Sequence, residues 1–165
     1  MNDTFCELLV SRKMSGAQRV LQILLIVLIA ILVAGTMIIG FPALFLALIL
    51  GIICYYLIFP GFHVEYEYSI LNHEITIDKI LNKSKRKSVI SFDLKQAEII
   101  APEGSERLAH FNPSKTIDCS AGDSSVTSYV AVVPIENVTT AVRLSPDDDM
   151  LQHMKSFLPR TLWLS

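Results

Sequence analysis

Hydrophobic and polar positions follow three rhythms along this chain. From Val20 to Phe62 there is no charged residue, and Gln22 is the one strongly polar side chain. That window is about twice the ~20 helical residues needed to cross a bilayer core. One span cannot use such a length, and two can. "GFP" at Gly40-Phe41-Pro42 supplies the break: glycine loosens the helix, while proline restricts its predecessor and has no N–H to donate. The pattern predicts spans over about 19–39 and 43–59, with Pro60-Gly61 ending the second. A cleaved signal peptide does not fit, because its apolar stretch is shorter and a second does not follow at once.

After Gly61 the period drops to two. "VEYEYSI" puts Val64, Tyr66, Tyr68 and Ile70 on one face and Glu65, Glu67 and Ser69 on the other, as in a half-buried strand. Asn72-His73 predicts a tight turn. "EITIDKIL" turns Ile75 and Ile77 inward, and "SVISFDL" does the same with Ile90, Phe92 and Leu94. "AEIIAP" reads as a fourth strand stopped by Pro102, and residues 102–115 as a long polar loop. "TIDCSAG", "SSVTSYVAVVPI" and "VTTAVRL" supply the last strands, with a turn at Glu136–Val138.

The third rhythm is helical. In "SPDDDMLQHMKSFLPR" Ser145 suits an N-cap, Pro146 the first turn, and Asp147, Asp148 and Asp149 the positive end of the helix dipole. Met150, Leu151, Met154, Phe157 and Leu158 form one apolar face, predicting a helix over 146–158 that Pro159 ends. Successive helical side chains diverge, so the three carboxylates do not form a metal or catalytic cluster. At the other end, "MNDTFCELLVSRKMSGAQR" carries Phe5, Leu8, Leu9 and Met14 among polar residues. That suits a short helix lying on the bilayer surface, or a frayed tail.

The expected organisation is therefore an N-terminal segment over 1–18, a transmembrane helical hairpin over 19–62 and a β domain over 63–165. Composition agrees: with 52% apolar and 18% charged residues, a small domain plus a membrane anchor fits better than one soluble domain. Arg12, Lys13 and Arg19 outweigh Asp3 and Glu7 before the first span, and Lys79 and Lys83–Lys87 follow the second. Basic flanks predict a multi-pass protein of the inner, cytoplasmic membrane with both termini cytoplasmic. Residues 63–165 hold 11 basic and 14 acidic groups, a balance that argues against nucleic acid as a partner. Cys6, Cys54 and Cys119 are odd in number and widely spaced, so unpaired thiols in a reducing compartment are expected. The N-x-S/T matches at Asn2, Asn82 and Asn137 read as chance on a cytoplasmic chain.

Motifs that carry chemistry are missing from the sequence. His63, His73, His110 and His153 form no metal spacing, and there is no nucleophile elbow, P-loop or dinucleotide fingerprint. Glu65 and Glu67 share an outer strand face, where carboxylates are ordinarily solvated. The expectation is a protein that is not an enzyme, with no cofactor and no metal. "NKSKRK", residues 82–87, must at least turn the chain between two strands. Lys83, Lys85, Arg86 and Lys87 could also contact anionic lipid, at about 1 kcal/mol for each basic residue near such a surface.

Two spans, then "EYEYSI", "ITIDKI" and "ISFDL", then a terminal helix: this order resembles the pleckstrin-homology-like (PH-like) domains that bacterial membrane proteins carry after two hydrophobic spans. "MNDTF", "EYEYSILNHEITIDKI" and "DLKQAEIIAP" also resemble a family of small bacterial two-span proteins. The resemblance implies an α+β fold: an antiparallel split barrel closed by the C-terminal amphipathic helix, with positive charge on an early strand-connecting loop. It implies no activity. The functional expectation is a membrane-tethered scaffold or protein-interaction module, whose partners are the lipid bilayer and another membrane or cytoplasmic protein. The alternative is an anionic-lipid sensor using the 83–87 turn. Ala30, Ala34, Ala47 and Gly51 suggest self-packing through the spans.

Overall fold

A computed structural model describes residues 5–158 and 160–164. Its first element corrects the reading of the N-terminal segment. Phe5–Ser11 is a strand, β1, and it pairs antiparallel with β2 (Val64–Leu71) in unbroken register from Phe5↔Leu71 to Ser11↔Glu65. Cys6, Leu8 and Val10 oppose the buried Ile70, Tyr68 and Tyr66, so a period of two wins over the helical spacing of Phe5, Leu8 and Leu9. Asn2 and the rest of residues 1–4 lie outside the described residues.

The hairpin is thus inserted between the first two strands of the β domain instead of preceding it. Helix α1 (Gly16–Ile39) begins earlier than predicted because Ser15 and Gln18 form a capping box: the Gln18 N–H donates to Ser15 Oγ at 3.2 Å, and the Ser15 N–H donates to Gln18 Oε1 at 3.0 Å. Gly40, at φ 84, breaks the helix where expected. Helix α2 (Phe41–Ile53) continues through wider and tighter turns to Gly61. Both helices are long and apolar enough to cross a membrane, and α1 has no buried residue, unlike the core helix of a soluble protein. Ala43 and Ala47, one turn apart, are buried where α2 meets α1, while Ala30 and Ala34 of α1 are exposed.

β2, β3 (Glu74–Leu81) and β4 (Lys85–Asp93) follow as a meander, so the first sheet has the order β1-β2-β3-β4. Asn72, at φ 57, makes the turn between β2 and β3. The second sheet contains β5 (Ile99–Pro102), β6 (Lys115–Asp118), β7 (Tyr129–Ile135) and β8 (Val138–Leu144) in the order β5-β7-β8-β6. The β6–β8 pair is parallel, a departure from an all-antiparallel barrel, and residues 123–128 form a loop instead of extending β7.

One core joins the sheets. Tyr68, Ile70, Ile75 and Ile77 from the first meet Ala131, Val133, Val142 and Leu144 from the second. Helix α3 (Asp148–Phe157) adds Met150, Leu151 and Met154. Full burial of each large aliphatic side chain contributes roughly 1.5–3 kcal/mol. The cap of α3 is Asp147, not Ser145: Asp147 Oδ1 accepts the Met150 N–H at 2.8 Å. Ser145 is buried, and its Oγ accepts the Ala121 N–H at 3.0 Å, so it serves the core instead. After α3 the chain returns along β5. The Ile100 N–H donates to Thr161 O at 2.9 Å, and the Trp163 N–H donates to Ile100 O at 2.8 Å.

The two sheets differ in what covers their outer faces. Leu108 and Phe111, from the long loop, pack over Ile99, Ala101 and Val132 of the second sheet. Among the described residues nothing comparable covers the first, and Phe5, Leu9 and Leu71 on it are all more than half exposed.

Candidate functional site

The end of the domain that carries the hairpin holds a cluster of basic residues, Arg12, Lys13, Lys79 and Lys83–Lys87. The strands meet there by backbone pairing: the Arg12 N–H donates to Val64 O at 2.8 Å, and the Asn82 N–H donates to His63 O at 2.9 Å. The turn between β3 and β4 therefore sits beside the points where the helices leave the sheet. That turn is only Asn82–Ser84, because Lys85, Arg86 and Lys87 already belong to β4. Asn82 and Lys83 have φ of 48° and 55°. Lysine costs more than glycine in this left-handed region, so its presence at the tip of the turn is conformationally unfavourable.

A bulge decides which way the basic side chains face. Ile77 opposes Ile90 but Asp78 opposes Ser88, leaving Val89 as the extra residue in β4. Counting back by twos from Ile90 would send Ser88 and Arg86 inward. The bulge reverses this. Lys87 opposes Lys79 and Lys85 opposes Leu81, on the face continuous with the core. Arg86 lies on the outer face, where its guanidinium pairs with Glu67 and stands 3.8 Å from Asp78. Of the four basic residues singled out in the sequence, three lysines thus share the rim at the hairpin end with Lys79, and Arg86 is engaged by carboxylates. Lys79, which the sequence marks only as a basic flank of the second span, joins them on the inner face where its spacing from Ile75 and Ile77 places it.

Lys79 and Lys87 are directly opposed like charges, an arrangement that disfavours the sheet. No carboxylate among the described residues lies within 4.0 Å of Lys79, Lys83, Lys85 or Lys87. Beside Lys79 is a hollow of about 310 Å³, also lined by Arg12, Lys13, Ser15, Gln18 and Tyr66.

Arg12 and Lys13 are committed differently. Arg12 donates to Asp118 Oδ2 at 2.8 Å and to Tyr66 Oη at 3.2 Å, and Lys13 pairs with Asp123 at 3.0 Å. These contacts clasp the end of β1 to the second sheet. Burial alone would raise the Asp118 carboxyl. Hydrogen bonds from the Ser120 hydroxyl and N–H, with Arg12 alongside, outweigh it and hold Asp118 below the ordinary carboxylate value. Because its folded pKa is depressed, the stability it contributes is present above pH ~4 and disappears as pH falls through the folded value. Asp118→Asn is therefore expected to melt below the native chain at neutral pH, with the gap narrowing below pH ~4 in thermal melts of detergent-solubilised protein.

His73 and His63 are occupied locally. His73 Nδ1 is 3.0 Å from Asp93 Oδ1, and His63 Nδ1 is 3.4 Å from Phe59 O. His153 is half-buried with its ring edge on Phe157, and its buried Nε2 has no hydrogen-bond partner among the described residues. All three cysteines are free, and burial pushes the Cys119 thiol up to about 11, far from a reactive thiolate. No three His, Cys, Asp or Glu side chains converge as metal ligands among the described residues.

Two four-stranded sheets around one core, closed by a C-terminal helix and carrying an apolar helical hairpin, define a PH-like domain protein with two candidate membrane spans. The chain belongs to the bacterial PH-like domain family (DUF6106), whose profile matches residues 2–164. No curated protein and no solved structure matches it significantly.

Proposed function

We propose that this protein is a non-enzymatic, membrane-tethered recruitment module, held by its hairpin against the cytoplasmic leaflet, where Lys79, Lys83, Lys85 and Lys87 engage anionic lipid headgroups. The carrying observation is the opposed Lys79–Lys87 pair, without carboxylate partners among the described residues, beside the strand ends from which the hairpin departs. An anionic surface relieves that repulsion. With about 1 kcal/mol per basic residue, four lysines contribute several kcal/mol, decaying over a Debye length of about 10 Å. The cytoplasmic placement of both termini rests on the basic flanks of the hairpin and its uncharged turn at Gly40. The non-enzymatic reading is supported by the local pairing, capping and burial of the titratable side chains described above.

The test uses the full chain, because β1 belongs to the domain. It is placed in nanodiscs of phosphatidylcholine alone or with phosphatidylglycerol. Amide exchange over 79–88 is expected to slow in the anionic discs for the native chain, and to be the same in both for the variant with all four lysines changed to Gln. Identical exchange of the native chain in the two lipids would overturn the lipid contact.

A further inference from the structure

Among the described residues the outer face of the first sheet is left bare, and its chemistry is the opposite of the hairpin end. A groove of about 510 Å³ runs across it, with Glu7, Glu67, Glu74 and Asp78 along its sides. Arg86 is the single cation in its lining among the described residues. Phe5 and Leu71, directly paired across β1 and β2, give it an exposed apolar end, and Leu9 continues the apolar positions along β1. Equivalent apolar surface on the second sheet is covered by Leu108 and Phe111.

We propose that this groove docks a basic segment of a different protein, one that alternates Arg or Lys with large apolar side chains. The sheet presents the complementary alternation. Arg86 already shows that a guanidinium is accepted there, lying between Glu67 and Asp78. No cation among the described residues lies within 4.0 Å of Glu7, and the hydrogen bond and charge of the neighbouring Glu67 raise its carboxyl despite the opposing pull of Arg86, so an incoming positive charge relieves a like-charge contact. A second copy of this chain is a poor occupant. Face to face, two such grooves bring carboxylates against carboxylates. The basic rim of a neighbour in the same bilayer also stands at the wrong height: the Phe5–Leu71 end is roughly 25 Å along β2 from the strand end at the hairpin, at about 3.3 Å per residue.

The experiment uses the full chain in phosphatidylcholine nanodiscs and a fluorescent peptide of alternating Arg and Leu, with a Glu/Leu peptide as control. Fluorescence polarisation is expected to show binding of the first and not the second, weakening as salt is added. Glu7→Gln combined with Glu74→Gln is expected to weaken binding by about tenfold, and Phe5→Ser to weaken it too, without the double variant's melting temperature falling, because these side chains are exposed and Glu7→Gln removes a like-charge contact. Any of three results would overturn the proposal: no binding of the Arg/Leu peptide, equal binding by native chain and double variant, or efficient crosslinking of Phe5→Cys chains to one another, which would make a second copy the occupant.

Discussion

Replacing residues 14–61 with a short Gly-Asn turn is expected to yield a soluble, folded domain, whereas removing residues 1–13 is expected to abolish the fold. The two results come from one feature. Arg12 and Val64 are hydrogen-bonded neighbours at 2.8 Å, so a turn of ordinary hairpin length can span the gap that the helices now occupy. Deleting the N-terminal residues instead strips a seven-residue strand from β2, uncovers Tyr66, Tyr68 and Ile70, and removes the Arg12–Asp118 and Lys13–Asp123 links. Lost burial at Leu8 and Val10 alone is worth several kcal/mol. That is a large share of the roughly 5–15 kcal/mol by which domains are stable. Circular dichroism and amide-resonance dispersion of the two products distinguish the outcomes.

Tyr68 should be the most sensitive single position in the β domain. Its side chain is fully buried where β2, the Cys119–Ala121 segment and the approach to α3 converge. Its hydroxyl donates to Cys119 O at 2.6 Å and accepts the Ser145 N–H at 3.2 Å. Burial raises its pKa, so it stays a neutral donor at any working pH. Tyr68→Phe leaves a carbonyl and an amide buried without their partner, at a cost of about 1–3 kcal/mol. Tyr68→Ala adds a cavity the size of the ring, and large aromatic truncations cost about 3–5 kcal/mol. Denaturant melts of the hairpin-free domain are expected to place the variants in that order. Equal midpoints for Phe and native would show that the two hydrogen bonds contribute nothing net.

Much of this architecture was legible because the signals are local. The apolar window with Gly40-Phe41-Pro42 at its centre gave the hairpin, and strict alternation over Val64–Ile70 and Ile75–Ile77 gave the inner faces of β2 and β3. The amphipathic run after Asp147 gave α3. What escaped depends on partners distant in sequence. Cys6, Leu8 and Val10 acquire meaning only opposite Ile70, Tyr68 and Tyr66, which lie beyond the whole hairpin. The C-terminal tail is similar, since Leu162 forms an isolated bridge to Ile100. For the basic cluster, charge was visible but direction was not. A single extra residue, Val89, sends the lysines to one side of the sheet and Arg86 to the other, and no alternation rule anticipates where a bulge falls.

The interrupted sheet also sets an order of events during synthesis. The first strand is complete before either apolar helix has been made and, where the two helices span a bilayer, it stays unpaired on its own side until its partner follows. If only one helix crosses, those strands are stranded on opposite sides and cannot meet. A correctly folded domain is therefore incompatible with a single crossing, which would leave the apolar faces of both strands unpaired.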